Sequence, residues 1–309
     1  IYESRRKGMA VIKKEQITRA IQLDFHTSPG IENFLKDFKA DEFAERLKKS
    51  HVTYLTAFAQ CNAGNAYYAT KLGTPYPGER AEQLFPSIVS ECHKRGIKVS
   101  AYLNIGINQR LAEQHADWLR VSKDGKIMES GADTDVGFTS LCYNSPYRQY
   151  LLAPISEIAA LGADGIFCDC IFNKPCYCSY CKEKMKQRGL DYKNEEDVRR
   201  FSYDTLLEIS KEIRSRVPKE QYFILNGMPY DAVQDIASHI EVECLPSGLG
   251  GWGEDYFPAQ AAVARKISDN VVYMSGRFHA SWGDFGGIKS RASLENDMYD
   301  ALMNGTGFS

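Results

Sequence analysis

Five of the chain's nine cysteines fall between residues 168 and 181, in the stretch GIFCDCIFNKPCYCSYCKEKM (165–185), with one carboxylate, Asp169, among the first of them. Cys176, Cys178 and Cys181 are spaced C-x-C-x-x-C. Three thiolates at that spacing can hold a single tetrahedral zinc ion if a fourth ligand arrives from elsewhere. Cys168 or Cys170 could serve as that ligand. A site filled by four thiolates has no open position for water, so the metal would be structural. The alternative is a set of reduced thiols without metal. Cys61, Cys92 and Cys244 stand apart in apolar surroundings and read as small core residues. An odd cysteine count with ligand-like clustering favours a reducing compartment, hence a cytoplasmic location, over a disulfide framework.

Asp169 closes the apolar run DGIFCD, in which Phe167 and Asp169 alternate with Ile166 and Cys168. Taken alone it reads equally well as a turn or helix-capping aspartate. A second acid, Glu243, lies in HIEVEC, where Ile240, Val242 and Cys244 share one strand face and Glu241 and Glu243 the other. Two glutamates on a strand covered on both sides are costly unless one serves a site. Glu243 is nearer the strand's C-terminal end and is the candidate acid, whereas Glu241 reads as a buried structural partner. Two carboxylates around one pocket are the minimal equipment for glycoside hydrolysis, one attacking the anomeric carbon and the other protonating the leaving oxygen. Aldolases, amidohydrolases and isomerases share such acidic mouths. Asp24, His26, Asn104, Asn226, Arg277 and His279 also end apolar runs, with Trp252 and Trp282 nearby, and are candidate substrate-binding groups.

These residues need a scaffold that gathers strand ends. Eight β-rich apolar runs recur: 20–26, 52–59, 97–104, 164–169, 221–226, 239–244, 270–276 and 305–309. Helix-like segments at 81–96, 145–162, 194–217, 257–268 and 293–305 lie between them. Strands alternating with helices predict parallel βαβ units, and eight of them fit a (β/α)8 TIM barrel, whose catalytic groups collect at the strands' C-terminal ends. An open doubly wound sheet would want a Gly-rich phosphate loop, and neither G-x-G-x-x-G nor a P-loop is present. Residues 1–19 read as an N-terminal extension and 20–309 as the catalytic domain, cut short inside its eighth unit.

A formal charge of −2 and a pI near 6.4 supply no broad basic field for nucleic acid. No apolar run approaches the roughly 18 residues of a membrane span, so no membrane partner is expected.

Several blocks together resemble one family: LDFHTSPGI (23–31), LCYNSPYRQYLL (141–152), DGIFCDCIF with CYCSYC (164–181), EVECLPSG (241–248) with GWGEDYFP (251–258), and GRFHASWGDFGG (276–287). They are similar to the hypothetical glycosyl hydrolase (family 6-like) barrels related to retaining alpha-L-fucosidases. The resemblance implies an oligosaccharide or glycoside substrate, with Asp169 as nucleophile and Glu243 as general acid/base. Asp164, Phe167 and Asp169 fall where those enzymes carry a D-x-x-W-x-D-like setting, and Glu243 with Trp252 and Gly253 where they carry a glutamate followed by Trp-Gly. Where the family tends to read CHHGW this chain reads CNAGN, so Asn62, Ala63 and Asn65 replace two imidazoles and an indole. Similarity to the cysteine cluster of beta-galactosidase barrels implies Cys142 as the fourth ligand of a structural zinc, with no cofactor needed for catalysis. The resemblance to the hypothetical glycosyl hydrolases implies a homo-oligomer, a trimer where a beta-galactosidase-type trimerisation domain follows. A catalytically inert carbohydrate-binding barrel and a glycosidase of beta-galactosidase type are the alternatives. A zinc-dependent hydrolase is disfavoured, since H-x-H and H-E-x-x-H motifs are missing.

Overall fold

The structure is a computed structural model that describes residues 14–130, 138–171, 173–245, 252–278 and 287–309. Each of the eight apolar runs contributes a strand: β1 (Ala20–Gln22), β2 (Tyr54–Gln60), β3 (Lys98–Asn104), β4 (Gly165–Asp169), β5 (Tyr222–Leu225), β6 (Ile240–Cys244), β7 (Val271–Ser275) and β8 (Gly307–Phe308). β1 to β5 pair in parallel and in chain order, as do β6 to β8. β8 meets the start of β1 through one parallel bridge, Arg19 to Phe308, where the Phe308 N–H donates to the Thr18 carbonyl at 3.0 Å. Among the described residues no ladder joins β5 to β6. The fold is therefore mixed α/β with a predominantly parallel sheet that is not closed at that seam.

The strands are nearly all apolar because both their faces are covered. Phe58, Tyr102 and Phe167 stack in a row across β2, β3 and β4, with ring centroids 3.9 and 5.8 Å apart. Helices Leu84–His93, Tyr147–Ala159, Glu195–Ser215, Tyr256–Ile267 and Arg291–Met303 fall inside the expected amphipathic segments or within two residues of them. The longest begins where the Asn194 side chain accepts from the Glu196 and Asp197 N–H groups, and three acids occupy its first turn, where the helix dipole favours them. Val198, Phe201, Leu206, Ile209 and Ile213 form its buried stripe.

At the strand-start end, residues 14–19 lie against the sheet. Ile17 is buried with Tyr54, Tyr222 and Val272, and the Tyr222 hydroxyl donates to the Glu15 carbonyl at 3.0 Å. Gly165 leaves room for these tyrosines, since a Cβ there would come within 2.9 Å of the Tyr54 hydroxyl. The polar groups of interest are at the opposite end.

Candidate active site

Register places the site. β3 and β4 pair Tyr102 with Phe167 and Asn104 with Asp169, so Tyr102, Asn104 and Asp169 lie on the same sheet face. Asn226 follows the last residue of β5, and Glu243 is the fourth residue of β6.

Asp169 accepts three hydrogen bonds. The Tyr102 hydroxyl reaches Oδ2 at 2.5 Å, the Cys170 thiol reaches the same oxygen at 3.4 Å, and Asn226 Nδ2 reaches Oδ1 at 3.0 Å. Burial, then the charge of Asp169, pushes the Tyr102 phenol well above its ordinary range, so it stays a donor. The same Asn226 nitrogen donates to Glu243 Oε2 at 3.0 Å. Two 3.0 Å bonds from one nitrogen limit Oδ1 and Oε2 to at most 6.0 Å apart. The roughly 120° between an amide's two N–H bonds would put them about 5 Å apart. Burial and then the charge of Asp169 raise the Glu243 carboxyl to about 7, against the pull of the Asn226 bond. The pair can thus hold a carboxylic acid at neutral pH beside a carboxylate fixed by three donors.

Cys170 turns the chain after β4 through the left-handed region (φ 57°). Its carbonyl would lie 2.0 Å from a Cβ at Gly106, so the loop after β3 needs a glycine there. Asn104 Nδ2 contacts the Cys170 sulfur at 3.1 Å and donates to Asn62 Oδ1 at 2.6 Å. The departure at Asn62 is therefore a buried amide pair beside the acid site.

His26 Nε2 lies 3.2 Å from Asp24 Oδ1, while its Nδ1 accepts from the Asn62 N–H at 3.4 Å, so the proton faces the carboxylate. Burial raises the Asp24 carboxyl, His26 opposes this, and Asp169 adds to it, so Asp24 belongs to the same electrostatic cluster. Trp252 meets Tyr256 edge-on at 4.9 Å and lines one cleft with Asn226 and Glu243. Arg277 is exposed, and its main-chain carbonyl accepts from the Lys289 N–H; its side chain has no described bond to the acid pair. His279 and Trp282 lie outside the described residues.

Glu241 has a different fate from Glu243. Its Oε1 is 3.0 Å from His239 Nε2, with the two side chains 2% and 1% exposed, and His239 Nδ1 lies 2.9 Å from the Ser238 hydroxyl. It is the buried structural partner expected of it.

The sulfurs of Cys142, Cys176, Cys178 and Cys181 lie within 4.8 Å of one another, with Cys142 3.4 Å from Cys181 and 3.5 Å from Cys178. All four side chains are buried. Asn144 directs its main-chain N–H at the Cys142 sulfur and its amide at the Cys181 sulfur, both at 3.4 Å. N–H donors aimed at sulfur suit thiolates, and the donor set is able to hold a metal ion. Cys168 and Cys170 are not part of it.

Residues 39–170 match the family model described as hypothetical glycosyl hydrolase 6. Among solved structures, alpha-L-fucosidase isoenzyme 2 from Paenibacillus thiaminolyticus is 30% identical with a TM-score of 0.87, over 94% of this chain and 45% of that one. The PgaB (BpsB) glycoside hydrolase domain from Bordetella bronchiseptica shares the fold at 15% identity and TM-score 0.68, covering 95% of this chain and 94% of that one. The beta-galactosidase from the psychrophilic Marinomonas ef1 does so at 11% identity and 0.62, covering 95% and 54%. No curated protein matches the chain. The chain thus spans under half the length of the fucosidase it resembles. The resemblance read from the motifs holds both for the glycosyl hydrolase family and for the fucosidase neighbour.

Sequence reasoning missed Tyr102, Asn62 and Cys170 as members of the site. The available signal for Tyr102 was its position two residues before Asn104, which puts both on one strand face. No helix among the described residues is long and apolar enough to cross a membrane.

Proposed function

We propose that this chain is the (β/α)8 catalytic domain of a retaining glycoside hydrolase acting on alpha-L-fucosides, with Asp169 as nucleophile and Glu243 as general acid/base. The barrel reading rests on two runs of parallel strands in chain order, β1 to β5 and β6 to β8, and on the Arg19–Phe308 bridge between last and first. The observation that carries the chemistry is the single Asn226 nitrogen shared by both carboxylates. The limit of 6.0 Å that it sets on the Oδ1–Oε2 separation is compatible with the roughly 5–5.5 Å between the carboxyl groups of retaining enzymes.

In the first step Asp169 attacks the anomeric carbon as the glycosidic C–O bond breaks, and Glu243 gives its proton to the departing oxygen. In the second, Glu243, now ionised, takes a proton from water, which attacks the anomeric carbon and frees Asp169. Burial, and then repulsion from Asp169, keep a large share of Glu243 protonated near neutrality for the first step. Formation of the ester removes the charge on Asp169, so the carboxyl becomes more acidic when it must act as base. Tyr102 fixes Oδ2 of the nucleophile through both steps.

The four thiolates would hold a structural zinc. Zn–S bonds of about 2.3 Å imply tetrahedral edges of about 3.8 Å, close to the Cys142–Cys181 and Cys142–Cys178 separations of 3.4 and 3.5 Å. The ion would tie the loop after β4 to the segment that precedes helix Tyr147–Ala159 and thereby fix the backbone beyond Asp169.

The test is release of nitrophenol from 4-nitrophenyl alpha-L-fucoside. Turnover abolished by Asp169→Asn supports the reading; activity of wild type on other glycosides alone would retire the fucose assignment, and no activity on any glycoside would retire the hydrolase.

A further inference from the structure

The chain from Leu141 to Tyr147 carries one of the four clustered cysteines, Cys142, and it also clasps the strand ends behind the nucleophile. The Tyr147 hydroxyl donates to the Ile105 carbonyl at 3.0 Å, and the Leu141 N–H donates to the Gly106 carbonyl at the same distance. The Tyr143 hydroxyl reaches the Cys170 carbonyl at 3.5 Å. Both tyrosines are buried. Ile105 follows β3, and its own N–H donates to the Asp169 carbonyl at 3.0 Å. Cys170 follows β4, and its thiol donates to Asp169 Oδ2. Each phenol thus holds a residue that in turn holds Asp169, one through the main chain and the other through a side chain.

Past the last residue of a strand the ladder no longer fixes the backbone, and a buried carbonyl there needs a donor from elsewhere. The loop after β3 is shaped to admit one, since a Cβ at Gly106 would come within 3.2 Å of the Tyr143 hydroxyl. We propose that Tyr147 and Tyr143 are positioning residues for the nucleophile: anchored on either side by Cys142 and the helix Tyr147–Ala159, they set the backbone from which Asp169 reaches the anomeric carbon. Neither is among the donors to the Asp169 carboxylate itself. Their loss therefore acts on attack and not on sugar binding, because displacing a reacting atom by about 1 Å can cost about 10²-fold in rate. This inference rests on the proposed role of Asp169.

The test deletes one hydroxyl at a time and measures kcat and KM on 4-nitrophenyl alpha-L-fucoside. Tyr147→Phe should lower kcat about tenfold or more with KM within threefold, and Tyr143→Phe, whose bond is longer, about fivefold. Tyr222→Phe is the matched control: it removes a buried phenol hydroxyl that donates to a main-chain carbonyl at 3.0 Å, but at the strand-start end of the sheet. It should leave both constants within threefold of wild type. A folded Tyr147→Phe with kcat within threefold, or an equal loss in Tyr222→Phe, would overturn the proposal. Should Tyr147→Phe fail to fold, Tyr143→Phe decides by the same criteria. A second readout needs no turnover: alkylation of Cys170 by iodoacetamide, located by fragmentation in mass spectrometry. Cys170 should react at least fivefold faster in Tyr143→Phe than in wild type or Tyr222→Phe, while the buried Cys168 stays inert in all three. An unchanged Cys170 rate in Tyr143→Phe overturns the clasp. If wild type hydrolyses no glycoside and the Cys170 rate still rises in Tyr143→Phe alone, the clasp stands and the hydrolase assignment fails.

Discussion

At the strand-start end of the sheet Asp164 and Glu241 each have an imidazole partner; at the strand-end side two carboxylates share one neutral amide. Asp164 Oδ2 accepts from the Val99 N–H and meets His93 Nε2, both at 2.8 Å, and Glu241 meets His239 at 3.0 Å. Asp169 and Glu243, by contrast, have neutral donors alone, Asn226 for both and Tyr102 and Cys170 for Asp169, and burial and then the charge of Asp169 raise Glu243 to about 7. Both ends are built from the same strands, and Glu241 and Glu243 are two residues apart on the same face. The difference is therefore one of partners, and unresolved like-charge crowding is what marks a reactive site.

That contrast can be broken most forcefully at Asp169. Asp169→Asn should lower glycosidase turnover by about 10³-fold or more while the melting temperature stays within a few degrees, because an amide can still accept from Tyr102 but cannot attack carbon. Near-normal turnover in folded protein would remove Asp169 from the chemistry.

A subtler intervention acts on the shared amide. Asn226→Ala should reduce kcat/KM by about 10–100-fold. Glu243 works as an acid only while protonated, so activity should fall as pH rises through about 7 in the wild type. The Asn226 bond favours the ionised form, so its loss should move that alkaline limb upward. A limb that stays put or moves down would contradict the bridge. The same raised carboxyl stabilises the fold below its unfolded value, and this contribution is lost as pH climbs through about 7. Glu243→Gln should accordingly melt a few degrees higher than wild type at pH 8 and not at pH 4.5.

The cysteine clip belongs with the paired end of the comparison, since its donors are complete. Purified protein should carry about one zinc per chain, and Cys178→Ser should lose it together with several degrees of melting temperature. Turnover of the protein that remains folded should fall only severalfold. Metal-free wild type prepared without chelator would refute the site.

The smallest effect on activity is expected at Glu241. Glu241→Gln replaces the carboxylate beside His239 by a neutral amide and should lower stability by about 1–3 kcal/mol, as weakening a buried hydrogen bond does, with turnover changed less than threefold. A large loss of turnover in folded Glu241→Gln would mean that the two glutamates had been assigned the wrong way round.

The eight strands of the parallel ladders were legible because buried parallel strands leave continuous apolar runs, and each falls within an expected run or one residue beyond it; the two-residue strands Asn65–Ala66, Thr74–Pro75, Glu129–Ser130 and Phe138–Thr139 fall outside every expected run. β1 stops short of its run: only Ala20–Gln22 is in the ladder, and Asp24 and His26 lie in irregular chain after it. The helix Ser179–Gln187 was hidden because Cys181, which its pattern needs as an apolar residue, also reads as a ligand. The acid pair was legible from strand ends, but Asn226 and Arg277 looked alike in sequence. One is held between two carboxylates and the other is exposed. Only the register of neighbouring strands separates them, and register is a long-range property that no local pattern carries. The same holds for Asn62, whose partner Asn104 is on a different strand.

The central claim, that Asp169 is the nucleophile, is tested most directly by trapping the intermediate. Wild type would be incubated with 2-deoxy-2-fluoro-alpha-L-fucosyl fluoride, digested and analysed by mass spectrometry. The account predicts one fluorofucosyl group per chain, located by fragmentation on Asp169, and none on Asp169→Asn. A label on Glu243 or any other carboxylate, or hydrolysis of the normal fucoside by an enzyme that never accumulates a label, would contradict it.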